Sequence, residues 1–304
     1  MPIRKSDSKP NFAVLLATYN GVFWIEKQLR SIIIQTKVSV TVFVSDDMSN
    51  DGTFEQISSL TKDFNNIKIL PRIKHGTPAL NFHYLLKSCD FSNFDYIAFA
   101  DQDDIWFLDK LFSAHTKLSS SNYSAYSSDI IARYANGKEK YIKKSYPAKK
   151  YDYLFESAGP GCTYVIKSEV IDKYVNFIKS NKKLVDEINC HDWTIYAYIR
   201  SRNQRWFIDS KPTIFYRQHE MNAEGVNSGV LAYFKRLKSC LSGEYRNKCL
   251  SMLILIEPEN VMLKQLLNGR WLSGLKLLFY INEIRRSPKI RVLMVILLIF
   301  GFLR

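Results

Sequence analysis

The sequence predicts an α/β fold: a mostly parallel, Rossmann-like central sheet flanked by helices, followed by a C-terminal helical extension. Three observations predict it. Apolar runs of strand length alternate with helical patterns in the first half of the chain. Two of those runs end in acidic clusters, Asp46-Asp47 and Asp101-Gln102-Asp103-Asp104. From about Asn227 onward, apolar residues keep helical spacing. Strand–helix alternation at this spacing favours βαβ units, and parallel pairing brings both acidic clusters to one sheet edge.

Residues 12–17 form the first apolar run, ending at Thr18-Tyr19-Asn20-Gly21, and Ile25, Leu29, Ile32 and Ile33 then share one helical side. Residues 38–44 are β-rich and stop at Ser45-Asp46-Asp47. Asn50-Asp51-Gly52-Thr53 reads as a turn and helix start, with Thr53 and Gln56 as a capping box. Residues 67–70 make a third strand, a helix opens at Thr77 or Pro78 and runs through Lys87, and residues 96–100 make a fourth strand. Beyond Trp106, residues 108–118 read as helix, 123–134 as a strand region and the Lys-rich stretch 135–150 as a surface loop. Gly159-Pro160-Gly161-Cys162 is a turn before a strand at 163–166. Cys190-His191-Asp192-Trp193 opens a helix, and 205–208 and 213–217 are short strands. Val230, Tyr233, Phe234, Leu237 and Leu241, then Trp271, Leu275 and Leu278, carry the helical spacing of the extension.

A chain of 304 residues, 46% hydrophobic and 14% aromatic, supports a sizeable core and excludes global disorder. Five cysteines, an odd number without Cys-x-x-Cys spacing, argue against a disulfide framework and a structural zinc site, and fit a reducing cytoplasmic compartment. Residues 1–10 are polar and lack the apolar stretch of a signal peptide. The net charge is +14, of which residues 235–304 carry +9 from 13 Lys/Arg and 4 Asp/Glu. Basic residues interleaved with Leu, Ile, Trp and Phe favour an anionic membrane surface over nucleic acid. The 12-residue apolar run at 292–303 is too short to span a bilayer, which takes about 20 residues. A buried core helix, an interfacial anchor and the end of a longer tilted segment all fit it.

Three carboxylates after a buried run are costly unless neutralised, and hard divalent cations such as Mg²⁺ or Mn²⁺ suit oxygen ligands. In an open α/β sheet the strands' carboxyl ends are also where ligands bind. The cluster at 101–104 therefore points to a metal and, through it, a phosphorylated substrate. Asp46 and Asp47 have two readings: turn or cap residues, or acceptors for a ribose hydroxyl or pyrimidine N–H. The first strand ends in Thr-Tyr-Asn-Gly, without a dinucleotide Gly-x-Gly-x-x-Gly, and the chain has no P-loop.

Taken in order, Ala17-Thr18-Tyr19-Asn20-Gly21, Val44-Ser45-Asp46-Asp47 through Thr53, and Asp101-Gln102-Asp103-Asp104-Ile105-Trp106 resemble a family 2 glycosyltransferase of GT-A fold over roughly residues 11–220. The last motif is similar to the bacterial rhamnosyltransferase-like members that build surface polysaccharides, and leans toward a dTDP-rhamnose donor. With the resemblance ending near 220, the chain divides into a catalytic domain at 1–226 and a helical extension at 227–304, whose basic and apolar composition suits membrane association. Thr18, Asn20, Asp46 and Asp47 would hold the nucleoside. Asp101 and Asp103 would form the metal-binding Asp-x-Asp, with Asp103 the direct ligand and Asp101 nearer the ribose. Asp104 and Trp106 would shape the donor pocket. Gly161 and Cys162 resemble the acceptor-side turn. His191-Asp192-Trp193 stands where the family places an acidic pair whose Asp is the catalytic base, with histidine replacing the first acid. Tyr216-Arg217-Gln218-His219 resembles the segment whose His reaches the metal or diphosphate, with Arg217 on the donor.

The implied protein is an inverting, metal-dependent transferase. It would move a sugar from a nucleotide-diphosphate donor to a glycan or lipid-linked acceptor at the inner face of the cell membrane, without nucleic acid as a partner. One carboxylate, Asp192, suffices as base for such a transfer; its other reading is a helix N-terminal residue favoured by the macrodipole. A nucleotidyltransferase would also use carboxylates and metal, but with a Gly- and Lys/Arg-rich loop where this chain has Thr-Tyr-Asn-Gly. A non-catalytic nucleotide- or nucleic-acid-binding protein leaves the acidic clusters unexplained.

Overall fold

The computed structural model describes residues 9–219, 238–239, 242–268 and 275–299. The boundary read at 226/227, the helical spacing of Val230 through Leu241, Trp271 and the end of the 292–303 run lie outside them.

Strands β1 (Asn11–Thr18), β2 (Ser39–Asp46), β3 (Ile67–Ile69) and β4 (Tyr96–Asp101) are parallel, in the order β4-β1-β2-β3. Alternation along β1 divides the core. Phe12, Val14 and Leu16 pack on Ile25, Leu29 and Ile32 of helix α1 (Ile25–Ile33) and on Ile57 of α2 (Thr53–Asp63). Ala13, Leu15 and Ala17 face the opposite cluster, which holds Phe82, Leu85 and Leu86 of α3 (Pro78–Ser88). A strand covered on both faces needs a continuous apolar run, which is what the sequence has there.

Beyond β4 the sheet adds three strands in the order β10-β6-β9-β4. They are β6 (Tyr123–Ser128), β9 (Val165–Lys167) and β10 (Arg205–Asp209); β9 runs antiparallel to both neighbours, a local reversal in the mostly parallel sheet. A second sheet, order β5-β11-β7-β8, joins β5 (Ile105–Trp106), β7 (Ile130–Tyr134), β8 (Glu139–Ile142) and β11 (Ile214–Gln218). Helices α4 (Lys110–Ser119), α5 (Ser168–Ser180), α6 (Lys182–Ile188) and α7 (His191–Ser201) complete the first 219 residues.

Four local expectations change. The helix predicted from Leu108 begins at Lys110, because Phe107 N–H donates to Thr213 O and the Leu108 carbonyl accepts from Thr36 N–H. The start of α2 is capped from outside: Asp51 Oδ1 accepts from Thr53 N–H at 3.0 Å, while Gln56 reaches Glu26 instead of closing a capping box. The 123–134 strand region divides at Asp129, which takes the amides of Lys144 and Ser145. The loop predicted at 135–150 contains β8, turned back on β7 at Gly137, whose φ is +78°.

In the extension, α8 (Glu244–Ile256), α9 (Val261–Asn268), α10 (Ile281–Ile284) and α11 (Pro288–Ile299) contribute Cys249, Met252, Leu253, Leu263, Ile284, Met294 and Leu298 to the cluster that also holds Phe82 and Tyr196. Helix α11 buries Met294, Leu297 and Leu298 and exposes Val292, Ile296 and Ile299. No described helix is long and apolar enough to cross a membrane.

A buried polar row positions the loop after β4. Gln28 and Ser31 on α1 and Gln35 just beyond it recur at helical spacing, and all three are buried. Gln28 Nε2 donates to Asp101 O at 2.9 Å and Ser31 Oγ accepts from Trp106 N–H at 3.1 Å. Gln35 donates to Phe107 O at 2.7 Å and accepts from Leu111 N–H at 3.0 Å. Gln35→Leu strands two of these backbone groups, so the free energy of unfolding is expected to drop by about 1–3 kcal/mol. Urea denaturation measures it; an unchanged midpoint would mean the segment is held by other contacts.

Candidate active site

The parallel register sets Thr18 opposite Asp46 and Ala17 opposite Asp101, so three separate motifs meet at one sheet edge. Asp46 is wholly buried and spent inside the protein. Its oxygens accept from Thr18 Oγ1 at 3.1 Å, Ser49 N–H at 3.0 Å, Ser49 Oγ, and Arg72 Nε at 2.9 Å. Asp47 accepts from the backbone N–H groups of His75 and Gly76, which fastens that segment beside the end of β2. Asn20 sits at φ +48°, its N–H donating to Ser49 Oγ and its Oδ1 accepting from Asn50 N–H.

The residue between the two aspartates of Asp-x-Asp has its own task. Gln102 Oε1 accepts from Tyr19 N–H and its Nε2 donates to Tyr19 O, both at 2.8 Å, so one amide side chain pairs with the backbone as a strand would. Gly21 lies flat against that amide; a Cβ there would collide with Gln102 Oε1.

Asp103 Oδ2 lies 2.8 Å from His219 Nε2, and the His219 ring stacks on Trp24 with centroids 3.9 Å apart. Asp101, Asp104 and Cys162 bring one ligand atom each within 4.8 Å of one another. Asp104 is fully buried, and among the described residues the Cys162 thiol is the one side-chain donor set against its carboxylate. Burial, then the charges of Asp103 and Asp101, push its carboxyl well above the usual range. Burial, then Asp103 and Asp192, push the Asp101 carboxyl up to about 7. The Cys162 thiol is raised too, first by burial and then by Asp104 and Asp101, so with no metal bound it is a neutral S–H neighbour of those acids. A buried carboxylate met by a thiol and flanked by two further acids marks a site short of positive charge, and this oxygen-rich set fits Mg²⁺ or Mn²⁺.

The one buried ammonium against this cluster, among the described residues, was not read from the sequence. Lys110, in the first turn of α4, is fully buried; its Nζ donates to Cys162 O and lies 3.5 Å from the centre of the Trp106 ring. Burial lowers it to about 7 against the pull of Asp104 and Asp101. Arg217 on β11 feels both Asp103 and Asp104, and Tyr216 beside it is buried near the same acids.

Across the cleft, Gly161 packs on the N-terminus of α7. A Cβ there would lie 2.8 Å from His191 Nε2 and 3.1 Å from Asp192 Cβ. Asp192 Oδ1 accepts from Cys190 Sγ at 3.0 Å and Trp193 N–H at 2.7 Å. His191 stacks on Phe82 at 4.1 Å, and burial drops its imidazole to about 3, leaving it neutral. Trp193 faces the interior, its Nε1 donating to Tyr153 O at 2.8 Å. The Asp101 and Asp192 carboxylates are thus brought near each other, with Gly161 and Cys162 beside them.

The model of glycosyl transferase family 2 matches residues 13–168. The dTDP-rhamnosyl transferase RfbG of Shigella flexneri is 40% identical over 288 residues, 94% of this chain and 99% of its own. A GalNAc(5)-diNAcBac-PP-undecaprenol beta-1,3-glucosyltransferase of Campylobacter jejuni is 22% identical over 80% of each chain. Among solved structures, S. aureus TarS 1-349 in complex with UDP aligns with a TM-score of 0.57 and 16% identity, over 96% of this chain and 86% of that one. The mannosyltransferase PcManGT from Pyrobaculum calidifontis, in complex with GDP-Man and Mn²⁺, aligns with a TM-score of 0.57 and 14% identity over the same shares. The two structures are alike in fold.

Raising the Asp101 carboxyl from 3.8 to about 7 makes its ionisation costly to the folded state. Its contribution to stability is full below the unfolded value and is lost as pH rises through the folded one. In chelator, the melting temperature of the wild type is therefore expected to fall relative to Asp101→Asn as pH rises from about 4 to about 7, and Mn²⁺ is expected to restore it. Scanning fluorimetry across that range tests this; parallel curves for the two proteins would refute it.

Proposed function

The chain belongs to glycosyl transferase family 2, and from that premise we propose an inverting, metal-dependent transfer of rhamnose from dTDP-rhamnose to a glycan or lipid-linked oligosaccharide acceptor. The pathway we infer is bacterial surface-polysaccharide assembly, O-antigen or capsule. The single observation that carries the chemistry is the nearness of Asp192 to Asp101, with Gly161 and Cys162 beside them. The choice of sugar draws on the likeness to the Shigella flexneri dTDP-rhamnosyl transferase, which extends along nearly the whole of both chains.

In this reading Thr18, Asn20 and Asp47 line the nucleoside, and Asp46 acts from beneath by fixing Thr18, Ser49 and Arg72. Asp103, Asp101 and His219 would hold Mg²⁺ or Mn²⁺, which when bound would act as a Lewis acid toward the diphosphate. Arg217 adds fixed positive charge beside them. Asp104 and Trp106 shape the donor pocket, with Lys110 packed behind. Asp192 accepts the proton of the acceptor hydroxyl as that oxygen bonds to the anomeric carbon and the bond to the diphosphate breaks on the opposite face. The hydrogen bonds from Cys190 and Trp193 fix the plane of its carboxylate. His191 stays neutral beneath it and adds no charge to the base. Cys162 and Trp193 complete the acceptor side through packing.

We place the enzyme peripherally on the inner face of the cell membrane, resting on anionic lipid through the extension. Lys289, Val292, Ile296 and Ile299 fall along one exposed stripe of α11, and Phe279 nearby is 85% exposed. Apolar residues interleaved with cations suit a lipid headgroup layer better than nucleic acid.

Asp192→Asn is expected to cut turnover of dTDP-rhamnose about 100-fold or more while dTDP still binds. Asp103→Asn is expected to lose Mn²⁺-dependent dTDP binding as well. Turnover near wild type in both variants, read by dTDP release, would sink the assignment. Full-length protein should sediment with phosphatidylglycerol vesicles, and a Val292→Glu/Ile296→Glu double variant should not. Equal sedimentation of the two would remove the membrane assignment.

A further inference from the structure

The segment between α10 and α11 reaches into the catalytic half. Arg286 is buried; its N–H and Nε donate to Glu156 Oε1 at 2.7 and 3.2 Å, its Nε lies 3.4 Å from Asp152 Oδ2, and a terminal amine donates to the Ser157 carbonyl. Arg285 lies 3.4 Å from Glu156 Oε2 and donates to the Tyr245 hydroxyl, which itself donates to Phe155 O at 2.8 Å. The extension thus grips residues 155–157.

The core grips the adjoining residues, Ala158 and Gly159. Tyr164 OH accepts from Ala158 N–H at 2.9 Å and donates to Gly159 O at 3.1 Å, and Ser127 Oγ donates to Ala158 O at 3.2 Å. The chain then turns at Pro160 into Gly161, in contact with His191 and Asp192, and into Cys162, beside Asp101 and Asp104. An unbroken run of fixed residues leads from Arg286 to the carboxylates of the cleft.

Two arginines and two acids are a poor choice if stability is the aim, because apolar packing of equal volume often serves as well or better. What a guanidinium adds is a rigid fork that fixes several oxygens at once. We propose that Arg286 is a positioning residue for turn 157–162. The helical extension is then part of the catalytic centre, because it sets where Gly161 and Cys162 stand relative to Asp192 and Asp101. The idea rests on the reading of Asp192 as the base.

Arg286→Lys keeps a charge opposite Glu156 and Asp152 but loses the fork. Tyr164→Phe releases the same turn from the core side with almost no change in volume. Hydrogen exchange of the full-length protein, and hydrolysis of dTDP-rhamnose with Mn²⁺ and water as acceptor, read the outcome. In each variant, exchange at 157–163 should quicken while 17–20 and 45–49 stay protected. The kcat should fall about 10- to 100-fold with the KM for dTDP-rhamnose unchanged. The two effects should combine less than additively, since both act on one turn. Unchanged exchange at the turn overturns the proposal, as does quickened exchange with wild-type kcat, or a rise in KM alone. If Arg286→Lys unfolds globally, Tyr164→Phe decides. If Asp192→Asn turns over like wild type while both variants still loosen the turn and slow hydrolysis, the base assignment fails and the positioning role stands.

Discussion

Asp101, Asp103 and Asp104 lie within four residues at the end of a buried strand, where mutual repulsion and lost hydration both oppose ionisation. Much of the surrounding structure answers that constraint. Lys110 is buried behind the cluster, a neutral Cys162 thiol adjoins it, and His219 and Arg217 approach from β11. The row Gln28, Ser31 and Gln35 holds the backbone on either side of the acids, so the carboxylates cannot separate by shifting the loop. The result is a site that a divalent cation and a diphosphate can satisfy together.

The other acidic pair shows how neighbouring carboxylates take different work. Asp46 ends a strand and is saturated by four donors, one of them Arg72, whose guanidinium also lies over Phe54. Asp47 points the other way and gathers the amides of the 71–76 segment. Of the two readings open at the sequence level, turn chemistry is the one these hydrogen bonds display: both carboxylates organise backbone, Asp46 at Ser49 and Asp47 at His75 and Gly76.

The sheet and the meeting of the acidic motifs at its edge were legible because both depend on strong local signals. An apolar run of strand length stopped by acids reads as a buried strand reaching a polar edge, and parallel order then collects the motifs. Other features were hidden for physical reasons. Lys110 in the first turn of a helix reads as a solvated charge, and only the tertiary position of Cys162 and Trp106 buries it. Gln28, Ser31 and Gln35 look like the wet side of α1, since a polar residue carries no mark of the backbone group it will satisfy. The hairpin into β8 did have a signal, Asn136-Gly137, masked by its lysine-rich surroundings. Helices α5 and α6 passed unread, and the reach of Arg286 to Glu156, 130 positions away, has no local correlate.

Gln102 has a consequence for anyone who would re-engineer this enzyme. Its amide closes a two-bond bridge to the backbone of Tyr19, and Gly21 leaves the room for it. The middle letter of the acidic motif and the glycine eighty-one positions earlier are thus two halves of one joint. A chimera that imports either loop from another transferase inherits half a joint. The exchangeable unit is the pair, residues 17–21 together with 101–106.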